Sequence, residues 1–419
     1  MVSAIDSIVA KLTDLVSRRS SLVTVLLVWT VAQVIAVLAG WDRPQGFDAP
    51  YYMEQAAAHA AAGTLYPTAA NLFDTYIQAP SYINLLAVVY RLTGGYQLML
   101  LLNILMALVT VYCLWWLCRR FLGCQVAAWA VLLWCLLPSN VLASASLLTE
   151  VPYLMFGLLA CRLAFAGSRQ LAACLAAGIV LGLAQTIRPI AVAFLAAILL
   201  MLWLERRRWH HFVAILLTYG VVLTASGLYS QATTGHFVAS STVGGYDLMY
   251  TAYDGADGGQ HPWAVFAEGG AGYIADEATV DFAAKDSIWR SRSIEWISRH
   301  PVRYLSLCFK RLPMLLKSDT WVIGALRVET VPLWAKLAVN VPWLLLLAAF
   351  VVSLCWLRAS ASRLLWVLML YAFLGVGATC LFGVETRYHH PYVFVMIVWT
   401  AAAICRRWAV SPATDAVSH

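Results

Sequence analysis

The chain has 419 residues, of which 62% are hydrophobic and 12% charged, and its mean hydropathy is +0.75. A soluble domain carries roughly 25% charged residues, so this chain lacks the charge to cover a water-facing surface; a soluble enzyme and a disordered chain are both excluded. The net charge of +7 is dealt out in small clusters between apolar runs, which leaves no basic face for nucleic acid.

Residues 1–19 carry charge and the run 20–40 is apolar. A secretory signal has that order too, but the length of the run and the spans that follow read as a retained first helix. A polar segment, 41–80, and a short apolar run, 81–93, come next. A helix needs about 17–25 apolar residues to cross a hydrocarbon core of ~30 Å. The runs 97–118, 124–142, 147–166, 170–187, 188–204 and 211–229 read as spans, as do 334–357, 364–383 and 389–405 after the long polar segment 231–332. With 20–40 this makes ten. Ten crossings put Arg18–Arg19, Arg119–Arg120, Arg162 with Arg169, Arg206–Arg208, Arg358 with Arg363, and Arg406–Arg407 all on the cytoplasmic side, with both termini. An eleventh crossing at 302–317 would send the last two clusters outside, so that run reads as an interfacial or re-entrant helix on the outer face. The acids, among them Glu329, gather in 41–80 and 231–332. The ten cysteines lie in or beside apolar runs without a Cys-x-x-Cys, so neither a disulfide framework nor a zinc site is expected. The predicted fold is an all-α polytopic membrane protein of about ten transmembrane helices with extracytoplasmic amphipathic helices and loops. Residues 1–419 form a single membrane-embedded domain with no separate soluble domain.

Polar residues that topology does not need mark the candidate site. Asp48 precedes Ala49-Pro50 and an alanine-rich stretch. It caps a helix, or it is a general base at the membrane surface. Glu150, at the outer end of a span, is an interfacial acid or a functional one. Arg188, at an outer turn where the positive-inside rule disfavours it, pairs with an acid such as Glu150 or binds a phosphate through its planar fork. Arg387, in Glu385-Thr-Arg-Tyr-His-His-Pro391, repeats that argument. His389 and His390 are belt residues, proton shuttles or, less fittingly for adjacent side chains, metal ligands. The stretch 244–259, with Asp247, is a turn-rich loop or a substrate loop with aromatic platforms. Arginines to hold a lipid phosphate and a carboxylate to take a proton are the equipment for group transfer from a membrane-bound phosphate ester.

The ordered set Phe47-Asp48-Ala-Pro-Tyr-Tyr, Gln78-Ala-Pro80, Leu148-Thr-Glu150-Val-Pro152, Gly178 to Gly182 with Ile187-Arg188-Pro189, Arg299-His-Pro301, and Thr386-Arg387-Tyr388 before Pro391 spans almost the whole chain. It resembles the type C glycosyltransferase superfamily, in the branch of protein O-mannosyltransferases and lipid A aminoarabinose transferases. The sequence departs from that pattern at Ala49, where relatives often have a second acid, and at Gln78, where some have lysine. The resemblance implies an inverting transferase that moves a sugar from a polyprenyl-phosphate donor to a hydroxyl of a lipid, protein or polysaccharide acceptor. Asp48 is the implied catalytic residue. Arg188 and Arg387, with Lys310 or Arg311, are the expected phosphate ligands. Glu150, Tyr51, Tyr52, Tyr388, His389 and Asp247 are the expected supporting and acceptor-side residues. No cofactor is required by this scheme, and a divalent metal is compatible with it. The implied location is a bacterial inner membrane with the site facing the periplasm. A transporter or flippase of a lipid-linked sugar is the alternative reading, and it calls for ionisable groups along both faces.

Overall fold

The structure, a computed structural model, describes residues 11–16, 18–166, 170–328, 330–357 and 361–408. Arg169, Glu329 and Arg358 of the sequence reading lie outside the described residues. No strand occurs among the described residues. α1 (Arg19–Ala39) leads to a pair of shorter helices, α2 (Ala49–Ala62) and α3 (Pro80–Thr93). α4 (Gln97–Leu122) follows, and α5 (Cys124–Cys135) bends by 72° into α6 (Pro138–Leu142) and the turn to Ala145. Next come α7 (Glu150–Ala164), α8 (Gln170–Ile187), α9 (Val192–Leu204) and α10 (Trp209–Thr234). The long polar segment holds α11 (Val243–Met249), α12 (Phe282–Arg299) and α13 (Pro301–Leu316). α14 (Leu333–Leu357), α15 (Arg363–Phe382) and α16 (Val393–Trp408) complete the bundle. All ten cysteines are free.

Among the described residues, seven helices are long and apolar enough to cross a membrane, or eight if the bent α5–α6 pair is one span. Ten were expected from the sequence. The runs 147–166 and 188–204 form shorter helices for a local reason. α7 begins only at Glu150 and has 15 residues. Arg188 is forced into an extended conformation (φ −143°, ψ 122°) by the proline that follows, so the next helical stretch is Pro189–Leu204. Helices of this length reach ~22–24 Å at 1.5 Å per residue, short of ~30 Å. In both cases the residues lost from the span are the ones that reach the polar end of the bundle. α13 is not among the spans either; it buries Tyr304, Leu307 and Arg311 and exposes Val302, Leu305 and Phe309.

Most residues of the stretch Thr386–Arg407 are buried, and it runs through the middle of the bundle. Its side chains Val393, Phe394, Val395, Ile397, Val398 and Trp399 have no exposed surface. Whatever stands at its first turn is thus at the centre of one end of the molecule. α8 and α10 pack backbone to backbone: a Cβ on Gly178 would come within 2.4 Å of the Ile215 carbonyl oxygen, and one on Gly182 within 2.6 Å of Val222. Small residues four apart permit that approach, and it carries Arg188 to the same end. There the two polar segments are joined. Thr242 N–H donates to the Ile77 carbonyl at 2.8 Å, Phe282 N–H to that of Leu72 at 2.9 Å, and Lys285 Nζ to that of Phe73 at 2.8 Å.

Candidate active site

Asp48 stands immediately before α2, at the capping position, yet its side chain caps nothing. The preceding Phe47 has φ 53°, a left-handed turn that a non-glycine residue rarely takes. That turn lays the Phe47 ring 4.7 Å from the guanidinium carbon of Arg387. Asp48 Oδ2 accepts from Arg387 Nη2 at 2.7 Å and from the Tyr52 hydroxyl at 3.4 Å. Tyr52 in turn receives Gln78 Nε2 at 3.1 Å. Burial and the Asp48 charge push the Tyr52 hydroxyl well above its ordinary range, so it stays protonated and donates. Asp48 Oδ1 accepts no hydrogen bond from the described residues, and the side chain is 34% exposed. One oxygen is anchored and the other is open.

Arg387 is 1% exposed and lies on the 3₁₀ turn Thr386–Tyr392 that opens into α16. Its Nε donates to Glu385 Oε2 at 2.5 Å. One guanidinium therefore bridges two carboxylates, Asp48 through Nη2 and Glu385 through Nε. Glu150, the first residue of α7, is also 1% exposed; its Oε1 lies 3.1 Å from Arg188 Nη2 and 4.0 Å from Arg387 Nε. Tyr388 carries both cations, with Arg188 5.2 Å and Arg387 5.1 Å from its ring centre. Arg188 keeps 16% of its side chain exposed and makes no hydrogen bond to a described protein acceptor apart from that ion pair. The two arginines are thus unequal: Arg387 is spent on carboxylates, and Arg188 has donors to spare.

Asp247, on α11, faces the same group of charges. Its Oδ1 accepts from the Tyr250 hydroxyl at 3.2 Å. Burial, reinforced by the nearby charges of Asp48 and Glu385, pushes its carboxyl up to about 8. Burial also raises the Glu385 carboxyl, against the opposing pull of Arg387. Tyr51 sits one position from Tyr52 but turns to Tyr66, hydroxyl to hydroxyl at 2.8 Å, and to the Tyr76 carbonyl at 3.2 Å.

Three other expected residues have different surroundings. Arg311 is fully buried and donates to the carbonyls of Cys380 at 2.9 Å and Thr251 at 2.6 Å. It ties α13 to α15 and to the end of α11. Lys310 is on the exposed side of α13. His389 bonds the Leu315 carbonyl through Nδ1 at 3.1 Å and Asp319 through Nε2 at 3.0 Å, and stacks 4.1 Å from Trp343. His390 turns the other way, to Asn140 at 3.0 Å. The adjacent histidines therefore diverge. Among the described residues no three of His, Cys, Asp and Glu converge as a metal site, and the carboxylates of Asp48 and Glu385 share a guanidinium. Glu385 is the residue that the sequence reading passed over. Its signal was an acid two positions from an arginine that had to be compensated.

Residues 78–229, which include Gln78, Glu150 and Arg188, match the family described as dolichyl-phosphate-mannose-protein mannosyltransferase. No curated protein matches the chain. Among solved structures, the oligosaccharyltransferase of Archaeoglobus fulgidus, in complex with zinc and sulfate, is similar at 13% identity over 90% of this chain and 48% of its own, with a TM-score of 0.50. The chain thus spans about half the length of that enzyme. ArnT from Cupriavidus metallidurans is similar at 14% identity in its apo form (91% of this chain, 77% of its own, TM-score 0.42) and at 15% when bound to undecaprenyl phosphate (92% and 77%, TM-score 0.41). Residues 78–229 thus match that mannosyltransferase family, within a helical fold similar to that of the archaeal enzyme.

Proposed function

We propose that the protein transfers a sugar from a polyprenyl-phosphate sugar to an acceptor hydroxyl, with inversion, at the end of the bundle that carries Asp48. The observation that supports this best is the half-anchored carboxylate of Asp48. Arg387 and Tyr52 fix Oδ2, and Oδ1 is free to accept the acceptor's proton. In the step, the acceptor oxygen attacks the anomeric carbon from the face opposite the phosphate. The bond from that carbon to the phosphate oxygen breaks, and the hydroxyl proton goes to Asp48. The lipid monophosphate leaves with one more negative charge than the donor carried. Arg188, with unspent donors beside the site, is suited to meet that charge. Arg387 orients Asp48, and Glu150 holds the two arginines in register. The match of residues 78–229 to a dolichyl-phosphate-mannose family supports an isoprenoid phosphate as the donor's carrier.

The basic clusters support the sidedness. Arg19 begins α1, and Arg119 and Arg120 end α4, at the end of the bundle away from Asp48. The positive-inside tendency puts that end in the cytoplasm and Asp48 on the periplasmic face of a bacterial inner membrane. The cluster of paired carboxylates and arginines lies at one end, which supports an enzyme over a flippase. The test is Asp48→Asn, assayed for sugar transfer from polyprenyl-phosphate donors in membranes and for binding of undecaprenyl phosphate. Transfer is expected to fall by ~10²–10⁴ with binding retained. Transfer near the wild-type rate would remove Asp48 from the chemistry.

A further inference from the structure

We infer that the end of the bundle opposite Asp48 holds a built site for one anionic phospholipid, between α1 and α4. A cavity of about 230 Å³ opens there. Leu22 and Leu26 of α1 and Leu108 and Val111 of α4 form its walls, with Tyr112 and Trp115 toward its end. A cavity of ~150 Å³ already holds benzene, so this one accommodates a segment of hydrocarbon chain. It is separate from the reaction: α1 runs 21 residues from Arg19 to Ala39 before the chain reaches Asp48, ~30 Å at 1.5 Å per residue.

The mouth selects the headgroup. Arg19 lines the cavity directly. Arg119 lies 5.0 Å from the Trp115 ring, and Arg162 lies 5.7 Å from the Tyr112 ring and 4.9 Å from that of Trp116. The two aromatic side chains that wall the cavity thus each carry a guanidinium. The neighbouring Arg18 is paired with Asp14 at 2.7 Å, whereas Arg19, Arg119 and Arg162 have no carboxylate partner among the described residues. Topology alone asks for positive charge at this end; it does not ask for three unpaired guanidiniums around an apolar slot. A phosphate attached to a fatty chain satisfies both halves, and basic pockets between membrane helices bind anionic headgroups on the cytoplasmic side. A neutral lipid would fill the slot and leave the cations unmet.

The experiment uses the full chain purified in mild detergent and native mass spectrometry, with phosphatidylglycerol and phosphatidylcholine of identical chains as probes. Wild type should retain one phosphatidylglycerol in clear preference to phosphatidylcholine. Arg19→Gln should weaken that retention roughly fivefold, the equivalent of ~1 kcal/mol per basic residue at an anionic lipid. Val23→Trp should abolish it, because Val23 lines the cavity and is 48% exposed, so the indole fills the slot without entering the core. An unchanged thermal midpoint shows that each variant is folded, and Arg119→Gln replaces either variant that is not. Equal retention of the two lipids by wild type, undiminished retention by folded Val23→Trp, or displacement of phosphatidylglycerol by equimolar undecaprenyl phosphate would overturn the assignment.

Discussion

Glu385→Gln separates a residue that orients the base from the base itself. Glu385 touches Asp48 only through Arg387, which donates from Nε to Glu385 at 2.5 Å and from Nη2 to Asp48 at 2.7 Å. Hydrogen bonds to charged groups contribute ~1.5–3 kcal/mol, and those with an ionised partner are roughly twice as strong as neutral ones. Glutamine keeps an oxygen acceptor for Nε but loses the charge, so about half of that, ~0.75–1.5 kcal/mol, should be lost. Glu385 is 28% exposed, and solvent screening moves the figure toward the lower end. If the whole loss falls on the transition state, the rate falls about fourfold to twelvefold, at 1.36 kcal/mol per factor of ten. The assay is initial-rate sugar transfer at varied donor concentration in proteoliposomes. The loss should appear in kcat, with the donor KM little changed, and Glu385→Asp should recover part of it. A wild-type kcat would show that the bridge does not position Asp48. A loss as deep as that of Asp48→Asn would show that Glu385 takes the proton itself.

Arg188→Gln should weaken undecaprenyl phosphate binding about tenfold and raise the donor KM, because Arg188 has free donors at the site; Arg387→Lys should instead depress kcat, because one ammonium cannot replace the two guanidinium nitrogens that serve Asp48 and Glu385 separately. Unaltered binding in Arg188→Gln would move the phosphate elsewhere. Asp247, whose carboxyl is raised from its ordinary 3.8 to about 8, holds a proton in the folded state that the unfolded chain has released at neutral pH. Its favourable contribution is therefore complete below pH 4 and is lost as pH rises through 8. The thermal midpoint of wild type should fall between pH 6 and 9 relative to that of Asp247→Asn, and parallel curves would refute the burial of that acid.

The elements that a long apolar run specifies were legible in the sequence. α1, α4, α8, α10, α14, α15 and α16 stand within a few residues of the runs that predicted them. The two runs that form shorter helices than expected share one cause. Hydropathy counts residues, whereas a helix must also be helical through them, and neither 147–149 nor Arg188 before Pro189 is. At the site, Asp48, Glu150, Arg188, Arg387 and Tyr388 could each be named because an ionisable or amphipathic group at the end of a span calls for a partner. Which partner it takes was not legible. Asp48 and Arg387 are 339 positions apart, and only the path of the central stretch Thr386–Arg407 brings them together.

Arg311 shows where residue type stops being informative. In sequence it is a cation beside Lys310 on an outer helix, as eligible for a phosphate as Arg387, and both are buried in the fold. The difference lies in what each guanidinium meets. Arg311 donates to two backbone carbonyls, which cannot ionise or move without unfolding α15 or the end of α11. Arg387 donates to two side-chain carboxylates, one of them a third exposed. A cation held by neutral, fixed acceptors braces a fold. A cation shared between acids that a substrate can reach sets the orientation and charge of those acids, and that is the property a general base requires of its neighbour. The same distinction places His389 with the braces: it is closed in by Leu315, Asp319 and Trp343, while Asp48 keeps one oxygen open.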